Sequence, residues 1–152
     1  MQPSLDFAFT ERDEPKAREV IERDLRLVCD AVRKADPRLD ALVLTGGFSR
    51  GEGTVRDGRP VNDYDLVAVR RAWGGDALYR ELGHRLGREV GIEVDLLPVA
   101  RARLPHVGRK LFWLDARLGG RVILGDPRAL DRIPAFGPAD LPRSEAARLL
   151  GN

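Results

Sequence analysis

Apolar positions along this chain follow two rhythms. Ile21, Leu25, Val28 and Val32 recur at the spacing of one helix face and predict a helix over residues 13–34, which Pro37 closes. Leu78, Leu82, Leu86 and Val90 repeat the pattern over residues 75–90. Gly83 and Gly87 weaken that second helix intrinsically but would let it pack closely on a sheet. Between and after these helices lie short aliphatic, β-branched runs of strand length: Leu39 to Thr45, Asp63 to Val69 and Ile92 to Val99. The first is almost wholly apolar after Asp40, as expected of a strand with neighbours on both sides. Gly119-Gly120 turns the chain into a further strand, Arg121 to Leu124, which Gly125-Asp126-Pro127 ends with Asp126 as a turn residue.

The ends and connections carry less pattern. Residues 1–11 read as an arm, with Phe7 and Phe9 laid on the rest of the chain. Arg101 to His106 reads as a loop, and Lys110 to Leu114 is an apolar cluster containing Phe112 and Trp113. Arg128 to Ile133 is expected to form one or two helical turns. A Pro/Gly linker from Pro134 to Pro142 then leads to a final helix, Ser144 to Leu150, with Gly151 as its candidate C-cap.

Three of the apolar runs carry chemistry. Gly46-Gly47 follows the first strand, where a glycine turn lets backbone approach a ligand. The following residues, Phe48-Ser49-Arg50, are expected to open a short helix whose free N–H groups suit phosphate oxygens. Asp63 and Asp65 are two apart on a strand, so they point to one side while Tyr64 and Leu66 point to the other. Asp95 sits on a separate apolar strand and reaches the same place if the two strands are neighbours. Carboxylates gathered on apolar strands repel one another and are costly to bury, a cost that a divalent cation removes. The plainer alternative makes the three aspartates surface carboxylates that end strands of an ordinary α/β domain. Arg50 is open to two roles, a phosphate contact or an ion pair with Glu52 or Asp57. His84, set between leucines, is read as a solvated or capping histidine rather than a catalytic one, and Cys29 as a packed thiol.

Gly46-Gly47, Arg50-Gly51-Glu52, Asp63-Tyr64-Asp65 and Asp95, in this order and each on the expected kind of element, resemble the polymerase β-type nucleotidyltransferase superfamily. Within it they resemble the bacterial minimal nucleotidyltransferases. The resemblance spans residues 39–97. It departs from the pattern twice: a long polar turn, Arg56-Asp57-Gly58-Arg59-Pro60, precedes the aspartates, and Gly47 stands where a phosphate-binding serine is common, so that Thr45 or Ser49 would supply a hydroxyl.

The resemblance implies an α+β fold, a mixed sheet with helices packed mainly on one face. It further implies transfer of a nucleoside monophosphate from a nucleoside triphosphate, ATP foremost, to an acceptor hydroxyl, with release of pyrophosphate. Mg²⁺ or Mn²⁺ would be held by Asp63, Asp65 and Asp95, the same residues being catalytic, while Gly46, Gly47, Ser49 and Arg50 would bind the nucleotide. The acceptor is left open among a small molecule, an RNA end and a protein side chain. Two alternatives accompany this reading: a catalytically weak nucleotide-binding or regulatory module, and an antitoxin-type partner of a helical protein. Residues 1–152 are expected to form one nucleotidyltransferase domain. Residues 143–152 would begin a C-terminal helix that in similar proteins leads onward, so the chain may equally be read as the N-terminal part of a longer one.

Composition adds exclusions. The 152 residues are enough for one domain with a core. A net charge of +2 argues for neither nucleic acid nor membrane on bulk charge alone. One cysteine excludes an internal disulfide framework and a cysteine-rich zinc site. No apolar run approaches the ~20 residues that cross a bilayer, and the first residues lack the basic and apolar regions of a signal peptide. The expectation is a soluble, cytoplasmic protein.

Overall fold

The computed structural model describes residues 2–150. Gly151, read above as a C-cap, lies outside them. A long first helix, α1 (Pro15–Ala35), leads into β1 (Leu39–Thr45), a two-residue hairpin of β2 (Val55–Arg56) and β3 (Arg59–Pro60), and β4 (Tyr64–Arg70). Then come α2 (Asp76–Val90), β5 (Val94–Ala100), α3 (Leu111–Gly119), β6 (Arg121–Gly125) and α4 (Arg143–Leu150). The main sheet runs β5-β4-β1-β6. β4 is parallel to β5, whereas β1 is antiparallel to both β4 and β6, which makes the sheet mixed.

Strand alternation divides the core in two. Leu42, Leu44, Tyr64, Leu66, Ala68, Val94 and Leu96 face α1 and α2, where they meet Ile21, Leu25, Val28, Leu82 and Leu86. Ala41, Val43, Val67, Val69 and Val99 face the other way, onto Trp113 and Ala116 of α3 and onto Leu104, Ala129 and Ile133. Both long helices thus lie on one face, and the opposite face is covered by the short α3 and by 3₁₀ turns at Arg101–His106 and Ala129–Arg132. The glycines of α2 allow its close approach: a Cβ at Gly83 would lie 2.8 Å from the Val94 carbonyl oxygen. The N-terminal arm buries Leu5 and Phe9, and the Ser4 N–H donates to the Ile123 carbonyl at 2.8 Å on β6.

Several expectations are corrected. Helix α1 begins at Pro15 rather than Asp13, because the residue before a proline is pushed out of helical geometry and Glu14 is extended. The buried face of α2 is Tyr79, Leu82, Gly83 and Leu86, while Leu78 is exposed. Residues 101–106 form a 3₁₀ helix instead of a loop, and the 110–114 cluster is the start of α3. The long polar turn before the aspartates is a hairpin, with Asp57 and Gly58 at φ 53° and 73°, the pair of positive angles that suits a two-residue connection. Cys29 is buried, and burial pushes its thiol up to about 12.

Candidate active site

Sheet register decides which carboxylates meet. Asp65 on β4 is the direct partner of Asp95 on β5, and on its other side it pairs with Thr45, the last residue of β1. In a parallel pair, partners point to the same face about 4.8 Å apart, so the two carboxylates share one side of the sheet. Gly46 follows Thr45 at φ 76°, and a Cβ there would come within 2.8 Å of the Asp65 Oδ2. The glycine turn therefore lies directly against the Asp65 carboxylate, and only a residue without a side chain fits.

The electrostatics of this end are unbalanced. Burial raises the Asp65 carboxyl, and the nearby charges of Asp95, Asp63 and Glu93 raise it further, to about 6; Arg50 acts weakly in the other direction. Asp63 precedes β4 and is exposed, a correction to the expectation that the strand begins there. Consequently the three aspartates do not form a finished metal cage. Among the described residues, no group of three or more His, Cys, Asp or Glu side chains stands close enough to hold a metal ion. The surplus negative charge around Asp65 nevertheless fits a divalent cation, because Mg²⁺ commonly takes one or two carboxylates and completes its shell with water and phosphate oxygens.

The Gly46-Gly47 stretch does not open a helix. Residues 46–51 form a turn, in which the Glu52 N–H donates to the Gly47 carbonyl at 2.8 Å and Gly51 adopts φ 77°. A left-handed residue so soon after the turn interrupts helical hydrogen bonding. Both candidate hydroxyls are engaged with backbone: Ser49 Oγ donates to the Gly46 carbonyl at 2.8 Å, and Thr45 Oγ1 to the Asp65 carbonyl at 3.1 Å. Ser49 is buried, so its side chain braces the turn. At Gly47, by contrast, a Cβ would make only an ordinary 3.5 Å contact with the Glu52 carbonyl oxygen. Arg50 pairs with Glu52 at 3.1 Å and reaches both oxygens of Asp115 at 2.8 and 2.9 Å, not Asp57.

Sequence reasoning passed over three residues around this end. Glu93 stands two before Asp95, the same alternation as Asp63 and Asp65, so its side was legible. Asp115 is the only carboxylate between Asp95 and Asp126, a lone acid on a basic stretch that finds Arg50 across the fold. Asp24 interrupts the apolar stripe of α1, where it accepts a 2.8 Å hydrogen bond from the Tyr64 hydroxyl. Burial raises the Asp24 carboxyl, partly countered by that bond and by Arg23. Tyr64 lies between Asp63 and Asp65, so this buried pair anchors the aspartate strand to α1.

No family model matches the sequence, and no curated protein matches it. Solved structures do match in shape. A chain of a mutant MntA–HepT toxin–antitoxin complex superposes with a TM-score of 0.53 at 17% identity, over 69% of this chain and 75% of that one. A tri-AMPylated Shewanella oneidensis HEPN toxin in complex with its MNT antitoxin gives 0.52 at 15% identity, over 73% and 82%. A toxin–antitoxin structure with AMP-PNP gives 0.53 at 17%, over 72% and 77%. The chain has the nucleotidyltransferase fold. In this fold the Asp65–Asp95 pair and the Gly46 turn occupy one end of the sheet, and the helix expected after Gly47 is replaced by a braced turn. No helix among the described residues is long and apolar enough to cross a membrane.

Proposed function

We propose that residues 1–152 form one nucleotidyltransferase domain, which transfers a nucleoside monophosphate from a nucleoside triphosphate to an acceptor hydroxyl. The observation that carries this reading is the register pairing of Asp65 with Asp95 against the Gly46 turn, with the Asp65 carboxyl raised to about 6 by burial and by unpaired neighbouring carboxylates. A group of carboxylates beside a glycine turn is suited to a metal-bound triphosphate and poorly suited to a bare anion. Asp63 and Asp65 would hold Mg²⁺ or Mn²⁺, with Asp95 beside them; when bound, such a cation neutralises charge on the triphosphate and on the leaving pyrophosphate.

The chain's own residues supply position and proton transfer. The backbone of Gly46 and Gly47 would line the phosphates, with Ser49 bracing the turn from below. Arg50, aligned by Glu52 and Asp115, would face the outer phosphates. Exposed Asp95 would accept the proton of the acceptor hydroxyl. The acceptor oxygen then bonds to the α-phosphorus as the bond to the β-phosphate bridging oxygen breaks, and pyrophosphate leaves. A solved neighbour with AMP-PNP and another containing an AMPylated toxin support ATP as the nucleotide.

A second reading has its own support. The matching structures are toxin–antitoxin complexes, which favours a role as antitoxin-type partner of a helical protein. The commitment of both hydroxyls and Arg50 to internal bonds favours weak turnover.

Thermal unfolding with each nucleoside triphosphate, with and without Mg²⁺, tests the main reading. Binding to the folded state alone stabilises it by about 2.7 kcal/mol at a hundredfold excess over Kd. The expected result is a metal-dependent rise in Tm for wild type that Asp65→Asn abolishes. No rise with any nucleotide overturns the enzyme reading and leaves the partner role.

A further inference from the structure

The turn over residues 46–51 lines the phosphates in the reading above, yet little within it fixes its backbone. A helix would hold these residues by its own repeating hydrogen bonds. Here the Glu52 N–H bonds back to the Gly47 carbonyl and the Ser49 hydroxyl to the Gly46 carbonyl, and further attachments come from elsewhere in the chain. One is buried Phe48, whose ring meets that of Tyr64 at 5.4 Å. Another is the N-terminal arm. The Gly53 N–H donates to the Phe9 carbonyl at 2.9 Å, and a Cβ on Gly51 would lie 3.4 Å from the Ala8 carbonyl oxygen. A Cβ on Gly53 would run into the Phe48 ring and come within 2.7 Å of the Phe9 carbonyl oxygen, so arm, turn and ring close on one another without a gap.

The arm from Leu5 to Phe9 is neither helix nor strand, and one side chain ties it down. Arg18, near the start of α1, donates to the Phe7 carbonyl at 2.8 Å and to the Leu5 carbonyl at 2.9 Å, and pairs with Glu22 at 2.9 Å. Its guanidinium also stands 5.0 Å from the centre of the Phe9 ring. The flat, forked guanidinium is what lets one residue serve two carbonyls, a carboxylate and a ring together. Phe7 packs edge-on against Phe9 at 4.9 Å. The Arg121 guanidinium stands 5.3 Å from the Phe7 ring and donates to the Ser49 carbonyl at 3.4 Å. The arm thus reaches the turn by two routes, from Phe9 to Gly53 and from Phe7 through Arg121 to Ser49.

We propose that Arg18 is a positioning residue for the nucleotide: by holding the arm, it fixes the glycine turn where phosphates are received. The ligand in this inference rests on the nucleotidyltransferase reading, whereas the hold on the turn rests on the contacts alone. Arg18 acts only through the arm. Without its guanidinium the Leu5 and Phe7 carbonyls lose that donor, and the Phe9 carbonyl and Phe7 ring lose their fixed places. The turn then takes up its receiving position in a fraction of the molecules, and the apparent Kd rises by the inverse of that fraction.

The test pairs two readouts on wild type, Arg18→Ala, Arg18→Lys and Val28→Ala, each first shown to be folded by its thermal transition. Val28 lies on the buried face of α1 and makes none of the contacts above, so its variant is the control for lost stability. Amide hydrogen exchange reads the turn directly. In Arg18→Ala the Glu52 and Gly53 amides should exchange at least tenfold faster than in wild type, measured relative to the β4 amides. Titration calorimetry with ATP and Mg²⁺ reads the site: Kd should rise about tenfold, the factor for a turn in place in one molecule in ten. Arg18→Lys should recover part of both changes, because an ammonium still donates to the carbonyls but does not stack over Phe9. Val28→Ala should lower Tm with neither change. Unchanged exchange at Glu52 and Gly53 in Arg18→Ala overturns the proposal. So does faster exchange with an unchanged Kd, which would leave the arm a brace only, or a Val28→Ala Kd raised as far as that of Arg18→Ala, which would mark a general loosening of α1. A wild type that binds no ATP sinks the enzyme reading and the nucleotide role of Arg18 with it, while the exchange rates still decide the hold on the turn.

Discussion

Strand β4 carries a charge at each end, and the fold treats the two in opposite ways. Arg70, the last residue of β4, is buried against Asp36, whose carboxylate also accepts a 2.6 Å hydrogen bond from the Tyr79 hydroxyl. Burial alone would raise Asp36, but hydrogen bonds from Arg70, Tyr79 and the Arg38 N–H bring it below the usual carboxylate range. Asp65, at the other end, has no such partner among the described residues and is raised. A charge answered from within the chain is part of the framework. A charge surrounded mainly by its own sign, with Arg50 acting only weakly against it, is not part of that framework.

The largest effect should come from breaking the answered end. Arg70→Ala leaves Asp36 buried without its cation; the expected loss is about 3–5 kcal/mol, read by denaturant unfolding. A loss under about 1 kcal/mol would erase the distinction between the two ends.

The unanswered end should respond with the opposite sign. The Asp65 carboxyl titrates at about 6 in the folded chain against an ordinary 3.8, so the folded state binds its proton more tightly. Its contribution to stability is therefore fully present below about pH 4 and is lost as pH rises through about 6. Without nucleotide, Asp65→Asn should be more stable than wild type at pH 7 by about 2 kcal/mol, after allowance for partial solvent screening. The difference should vanish near pH 4. Paired pH–stability curves measure it, and an Asn variant less stable at pH 7 would contradict the unpaired charge.

The smallest change in stability should come from Gly47→Ser. A Cβ fits there without strain, so unfolding free energy should move by no more than about 0.5 kcal/mol. If the glycine turn receives phosphates, the new hydroxyl should raise the Mg²⁺-dependent Tm shift given by ATP. An unchanged shift would separate the turn from the nucleotide.

These contrasts also show what the sequence could and could not convey. Strands β1, β4 and β5, both long helices and the two sides of Asp65 and Tyr64 were legible because each follows from a strand-length apolar run or a period of two or 3.6 residues. The nucleotidyltransferase fold was readable only through the family resemblance that Gly46-Gly47, Asp63-Tyr64-Asp65 and Asp95 carry. Partners distant in the chain were not legible. Nothing local to Arg50 signals Asp115, and nothing local to Asp36 signals Arg70 and Tyr79, since each pairing depends on how helices and turns pack around the sheet. The helix expected after Gly47 failed for a related reason. Glycine at Gly51 permits a left-handed residue, and the buried Ser49 hydroxyl rewards the turn that uses it.

The N-terminal arm has a consequence for how copies of this molecule can meet. By donating to Ile123 and burying Leu5 and Phe9, it obstructs the β6 side of the sheet, while among the described residues no strand pairs with the outer side of β5. An element with one closed margin is a chain terminator: two copies joined through β5 would consume both available margins and stop. Edge-to-edge growth then ends at a pair instead of running on into a fibre.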